Sequence, residues 1–344
     1  MKLTRTKALA AAASAAGLAL ALAGCAADGG SDPAQSAPAG GGDGAFPVTI
    51  EHAFGETVID DAPQRVVTWG WGAADAVLAL GEVPVAIPQE LYGGDENGVL
   101  PWIADELDEL GAETPEMLTS GAEGALPVEE VLQAAPDVVL APYSGITEEE
   151  YRQLTDAGVD VVAYPEVAWS TPWRDVISIV GEALGKTDEA EQVLADIDAS
   201  IAEQAEAHPE FEGLSIAEVW NVGGTFYVYL PADPRVQFAE DLGFVTADAV
   251  TELDTGESTF YYTLSYEKLD QLEADVLLIY GDTDAEVEEF LASDQGRLLP
   301  QVPDGNVVRV TGQSAVASVA PPTALSLTWG MDDFIADVEA GIRE

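Results

Sequence analysis

Residues 172–207 carry an almost unbroken helical pattern, interrupted only at Gly185-Lys186-Thr187. Pro172 suits a first helical turn. Val176, Ile177, Ile179, Val180 and Leu184 recur at helical spacing. No strand occurs for about forty residues, longer than an ordinary βα crossover requires. On both sides of this stretch, short apolar β-branched runs alternate with helical segments. Before it come the strand pair FPVTIEH and ETVID, turning at Phe54-Gly55, then RVVTW, a helix over 73–80 stopped by Gly81, and PVAI. A helix over 128–134, VVLA, a helix over 147–157 and DVVAY complete the first half. After Pro209 come SIAEVW, TFYVYL, helices over 236–242 and 266–272, VLLIY, a helix over 285–291, NVVRV and a last helix over 324–340. This rhythm predicts an α/β fold of two lobes, each with a mainly parallel sheet, bridged by one long α-helix. The expected boundaries are an N-terminal lobe at 46–170, the bridging helix at 171–186 and a C-terminal lobe at 187–344.

The first 45 residues stand apart. Lys2, Arg5 and Lys7 precede an uncharged apolar run, Ala8 to Leu22, that has the length of a signal h-region rather than a membrane span. It ends Leu22-Ala23-Gly24-Cys25, and Cys25 is the chain's single cysteine. The segment resembles a bacterial lipoprotein signal, which implies cleavage of the signal peptide 1–24 and lipidation of Cys25. Residues 25–45, rich in Gly, Ala, Ser, Pro and Asp, read as a flexible tether. The expected location is therefore the outer face of the cytoplasmic membrane, with the lipid as anchor and no other membrane contact.

Twelve basic against 63 acidic residues give a net charge of −51. Removing 1–24 takes three basic and no acidic residues, leaving −54. Such a surface repels phosphates, so nucleic acid is excluded as a partner. Catalysis finds little support. No P-loop or Gly-x-Ser-x-Gly is present, and two histidines with one cysteine cannot assemble a His/Cys metal site. His52 and His208 are read as surface residues. No catalytic residue, no metal ligand and no cofactor is assigned, and the chain reads as a monomer.

Aromatic residues instead gather at strand ends and in loops. In open α/β sheets ligands bind beyond the carboxyl ends of the strands. Trp71, Tyr143, Trp169, Trp173, Trp220 and Tyr261 are accordingly ligand-binding candidates, whereas Trp69 alternates into the core. Arg174 and Arg235 sit where loops enter helices. Either can offer several donors to a polar ligand or pair with a surface carboxylate. A short repeat links the halves: in EEVLQAAPDVVLAPY and EKLDQLEADVLLIYG, Glu129 and Glu267 open helical stretches, and Asp137 and Asp275 precede strands.

The ordered set PQRVVTWGWGAADAVLALGEVPVAI, PVEEVLQAAPDVVLAPYSGITEEEY, VVAYPEVAWSTPWRDVISIVGEALGK and YTLSYEKLDQLEADVLLIYG resembles the iron-siderophore substrate-binding lipoproteins of ABC importers, in the family that includes ferrichrome- and cobalamin-binding proteins. The resemblance spans nearly all of residues 46–340. It implies a class III periplasmic-binding fold that closes modestly on its ligand. It also implies that Glu129 and Glu267 dock on arginines of the permease. The implied ligand is a ferric siderophore, which wraps Fe(III) in its own oxygens and asks no ligand of the protein. Few and scattered basic residues favour a neutral or cationic hydroxamate over an anionic catecholate. The alternatives are a haem, cobalamin or ferric-citrate receptor of the same fold, a carboxylate-dependent surface hydrolase, and an acidic structural protein of the envelope.

Overall fold

The computed structural model describes residues 46–119 and 124–342; the signal peptide, Cys25 and the tether lie outside them. The first described elements are an antiparallel hairpin, β1 (Val48–His52) and β2 (Gly55–Ile59). It packs on the first lobe and buries His52, whose Nε2 lies 3.0 Å from Thr57 Oγ1; that hydroxyl donates to the Val161 carbonyl. His52 is thus a core residue and not a surface one, because the hairpin folds back over the sheet. Burial also holds its pKa below the ordinary imidazole value.

The first sheet contains β3 (Val66–Thr68), β4 (Ala86–Pro88), β5 (Glu116–Leu118), β6 (Val138–Leu140) and β7 (Asp160–Val162). Its order is β5-β4-β3-β6-β7 and every pairing is parallel. β3, β4 and β6 are buried along their whole length, as expected where helices cover both faces. The second sheet contains β8 (Ser215–Val222), β9 (Thr225–Tyr229), β10 (Val245–Thr246), β11 (Tyr261–Thr263), β12 (Val276–Gly281) and β13 (Val307–Thr311). Its order is β11-β9-β8-β12-β13, with β10 beside the start of β8. β8, β10, β12 and β13 run parallel, but β9 is antiparallel to both its neighbours. Gly223 and Gly224, both at positive φ, make the two-residue turn that converts β8–β9 into a hairpin.

The crossing between the lobes uses two consecutive helices, Trp173–Ala183 and Thr187–Ala207. The first packs on the Ala73–Ala79 helix and on β1. The second, 21 residues long, packs on the first and on Pro234–Asp241 and Ser326–Gly341 of the second lobe. The long member is therefore 187–207, beyond the 171–186 segment expected to bridge. The break between them is tied to the first lobe: Lys186 Nζ donates to the Leu80 carbonyl at 2.8 Å and pairs with Glu82 at 2.6 Å. One continuous apolar cluster runs from Ala76, Val138 and Leu140 through Ile177 and Ile197 to Tyr280, Val310 and Leu327.

The sequence repeat has a structural counterpart. Asp137 accepts the backbone N–H groups of Gln64 and Arg65 at 2.8 and 3.0 Å, fixing the start of β3. Asp275 accepts from the Ser215 N–H and hydroxyl at 2.9 and 2.7 Å, fixing the start of β8. In each lobe the paired strand, β6 or β12, lies directly beside the one so fixed.

The loop after β3 sets the entrance to the cleft. Trp71 N–H donates to the Tyr143 carbonyl at 3.0 Å, and Gly70 between the two tryptophans has φ 85°. A β-carbon at Gly70 would collide with that same carbonyl and with Ser144. Gly70→Ala is expected to destabilise the fold by about 2 kcal/mol or more. The readout is a lower urea midpoint at unchanged m-value; a wild-type midpoint would contradict it.

Candidate functional site

The carboxyl ends of β3, β4 and β6 meet those of β8 and β12 across a seam. Trp71 Nε1 donates to the Pro321 carbonyl at 2.9 Å, and Tyr92 Oη donates to Asp282 at 2.9 Å. The Trp102 and Trp329 rings also meet there, at 5.5 Å. Asp75 lies deepest in the seam. Fully buried on the Ala73–Ala79 helix, it accepts from Trp102 Nε1 at 2.7 Å and from the Thr323 hydroxyl across the seam. Burial raises its pKa to about 6 against the pull of those two donors. Nearby Glu90 is raised to about 8, first by burial and then by the Asp75 charge.

Above this floor the cleft narrows to a slot lined by Trp71, Tyr143, Thr171 and Trp173 from one side and Pro234 and Thr323 from the other. Trp173 is buried, and its indole N–H has no partner among the described residues. Trp169, at φ 59°, stays exposed and sets its ring edge-on to Tyr143 at 5.9 Å. Burial and the neighbouring Asp233 carboxylate push the Tyr143 phenol up to about 12. A separate open groove of about 490 Å³ is lined by Trp220, Asp282, Tyr266, Glu286 and Phe290.

Arg235 defines the second-lobe wall. Its guanidinium lies 3.8 Å from the centroid of the Tyr229 ring and 5.6 Å from that of Tyr280, and its Nε donates to Asp233 at 2.8 Å. Asp233 itself caps the Pro234–Asp241 helix. The Arg235 side chain is 12% exposed, and Nη1 is buried without a partner among the described residues. Burial opposes the charge, but Asp233 and the two phenols hold its pKa above the ordinary value. The result is a charged, largely buried donor held against two aromatic rings.

The candidates from sequence divide clearly. Trp71, Tyr143 and Trp173 share one cavity, with Arg235 adjoining it through Pro234. Trp220 joins the same wall through ring contacts with Tyr92 at 6.0 Å and Tyr280 at 6.3 Å. Tyr261 stands opposite Tyr229 in the sheet but packs on Tyr227 and Phe260. Arg174 is engaged elsewhere, paired with Asp198 at 2.7 Å and Asp241 at 2.8 Å while lying over Trp173. Trp69 is buried, as its alternation predicts. Sequence reasoning missed Tyr92, Tyr229, Tyr280, Asp233 and Glu218. Tyr229 and Tyr280 end the strands TFYVYL and VLLIYG, which was an available signal.

Glu129 and Glu267 are exposed, each in the first turn of its helix. Among the described residues neither carboxylate makes a hydrogen bond or ion pair. At the far end of the bridge, His208 lies 3.0 Å from Glu210 and 3.6 Å from Glu339. No helix among the described residues is long and apolar enough to cross a membrane.

Two lobes with facing strand ends, a helical bridge and an aromatic cleft define a two-lobed binding-protein architecture. Residues 66–313 match the periplasmic binding protein family, and the chain belongs to it. A probable siderophore-binding lipoprotein, YfiY of Bacillus subtilis (strain 168), is 24% identical over 235 residues, covering 67% of this chain and 68% of that protein. The Fe(3+)-citrate-binding protein YfmC of the same organism is 22% identical over 259 residues, 75% and 76% of the two chains. Among solved structures, Streptococcus pneumoniae TIGR4 PiaA in complex with ferrichrome matches with TM-score 0.75 and 32% identity, covering 84% of this chain and 97% of that one.

The buried Asp75 carboxyl yields a pH prediction. Its folded-state pKa is raised, so the folded protein binds that proton more tightly, and this contribution is lost as pH rises from about 4 through about 6. Asp75→Asn removes that dependence. Its stability relative to wild type is expected to rise by up to about 3 kcal/mol between pH 4 and pH 7.5, measured by urea unfolding. A pH-independent difference would contradict it.

Proposed function

We propose that this chain is the extracytoplasmic receptor of an ABC importer, capturing a ferric siderophore of the hydroxamate type between its lobes and delivering it to the permease. The observation that carries this reading is the buried Arg235 guanidinium beside Tyr229 and Tyr280, whose Nη1 has no partner among the described residues. A hydroxamate siderophore satisfies iron with its own oxygens and presents an apolar shell. It therefore needs aromatic walls and a few fixed donors rather than metal ligands. Trp71, Tyr143 and Trp220 supply the walls, and Arg235 supplies donors to the oxygens of the chelate. PiaA, crystallised with ferrichrome, supports the hydroxamate class. With Arg174 held by two aspartates, the described residues of the cleft offer no cation cluster of the kind a multiply charged catecholate or citrate complex would need.

The lipid on Cys25 would keep the receptor at the membrane, in line with the lipoprotein name of YfiY. Glu129 and Glu267, one per lobe, are the docking points for the permease. Their free, exposed carboxylates support that role, since a buried or paired group would first have to be released.

Titrating the soluble body with ferrioxamine, a ferric catecholate, haem and cobalamin should give saturable tryptophan quenching with ferrioxamine alone, at submicromolar affinity. Arg235→Gln should weaken that binding about 10- to 100-fold, as expected for loss of a charge-assisted hydrogen bond. Quenching by another of these ligands alone would replace the ligand class. The double variant E129A/E267A should abolish uptake by cells while leaving affinity unchanged; retained uptake would exclude the docking role.

A further inference from the structure

Strand β8 carries Ile216, Glu218 and Trp220 on one face, so an acid occupies a position where the pattern calls for an apolar residue. Glu218 is 2% exposed. Its Oε2 accepts from Tyr280 Oη at 2.6 Å, and its Oε1 is buried without a partner among the described residues. Tyr280 is also one of the two rings beside the Arg235 guanidinium. Carboxyl, phenol and guanidinium thus form a chain three groups deep behind the cleft wall. Both ends of the chain carry an unsatisfied polar atom, Glu218 Oε1 and Arg235 Nη1, of opposite character.

We propose that Glu218 is a positioning residue for the ligand, and that it takes up a proton when the oxygens of a ferric chelate dock on Arg235. This rests on the reading of Arg235 as the ligand's donor. With Glu218 neutral, the guanidinium keeps Nη1 for the ligand. With Glu218 ionised, the carboxylate competes for the same positive charge. Ligand oxygens beside Arg235 in turn disfavour a second negative charge behind it. The coupling is reciprocal: if the neutral form favours the ligand, the ligand favours the neutral form.

The surroundings place this exchange in the neutral range. Burial raises the Glu218 pKa to about 7; the Tyr280 hydrogen bond and Arg235 lower it, and Asp233 and Glu240 raise it. The groups facing it are Tyr280 on β12, Tyr229 on β9, and Asp233, Arg235 and Glu240 around the Pro234–Asp241 helix. Below about pH 7 the carboxyl is already protonated and affinity is flat. Above it the bound state holds a proton that the free state has lost, so affinity falls by up to tenfold per pH unit.

The test is ferrioxamine affinity of wild type, Glu218→Gln, Tyr280→Phe and Arg235→Gln from pH 5.5 to 8.5. It is paired with calorimetry at pH 7.5 in two buffers of different ionisation enthalpy. Wild type should lose about tenfold or more in affinity between pH 6.5 and 8.5 and take up a fraction of a proton. Glu218→Gln should hold the acidic-pH affinity throughout and take up none. Tyr280→Phe removes a hydrogen bond to the ionised form and should move the midpoint to higher pH, a readout that survives if Glu218→Gln does not fold. A wild-type slope in Glu218→Gln, or an unmoved midpoint in Tyr280→Phe, overturns the role of Glu218. Wild-type affinity in Arg235→Gln overturns instead the reading of the site on which it rests.

Discussion

A carboxylate shut away from water, Asp75, joins the two lobes at the floor of the cleft. A buried acid is costly unless its oxygens are bonded, and Asp75 draws its donors from Trp102 in one lobe and Thr323 in the other. Neither lobe alone satisfies it. The seam it closes brings Trp71 against Pro321, and loops and helix starts of both lobes line one cleft. The cleft wall follows from that seam, because Pro234, which precedes Arg235, shares its lining with Tyr143 and Trp71.

Much of the architecture was legible in the sequence, because parallel strands covered on both faces leave short β-branched runs and their helices leave a 3.6-residue pattern. The strand-free stretch announced the bridge, although the longer helix proved to be Thr187–Ala207. The helix Pro101–Leu110 was missed because only Trp102, Ile103 and Leu107 of its ten residues are buried. The short strands β5, β10 and β11 were missed because most of their residues are exposed or half-buried and leave no apolar run. The antiparallel placement of β9 depended on a Gly-Gly turn that runs of apolar residues do not reveal.

Part of the site was legible where a residue follows a recognisable strand or opens a helix. Trp71, Tyr143 and Trp220 follow strands and do line the cleft region. The two arginines looked alike in sequence, each at a helix entrance. What separates them is far away in the chain: Asp198 and Asp241 capture Arg174, whereas Asp233 holds only one edge of Arg235 and leaves Nη1 open. Glu218 was hidden because an acid inside an apolar strand reads as noise until its partner, Tyr280, is seen beside it. Charge at the surface and charge in the cleft are also distinct matters. The net −51 of the chain is spread over many exposed acids and is screened over about 8 Å at physiological salt. In the cleft wall Arg235 lies against Tyr229 and Tyr280.

The most direct test of the account is anomalous diffraction at the iron edge from crystals of residues 46–344 grown with ferrioxamine. One iron peak is expected in the inter-lobe cleft, with no protein atom in its coordination sphere and hydroxamate oxygens within hydrogen-bond distance of Arg235. Iron bound elsewhere, or iron held by protein carboxylates, would contradict it.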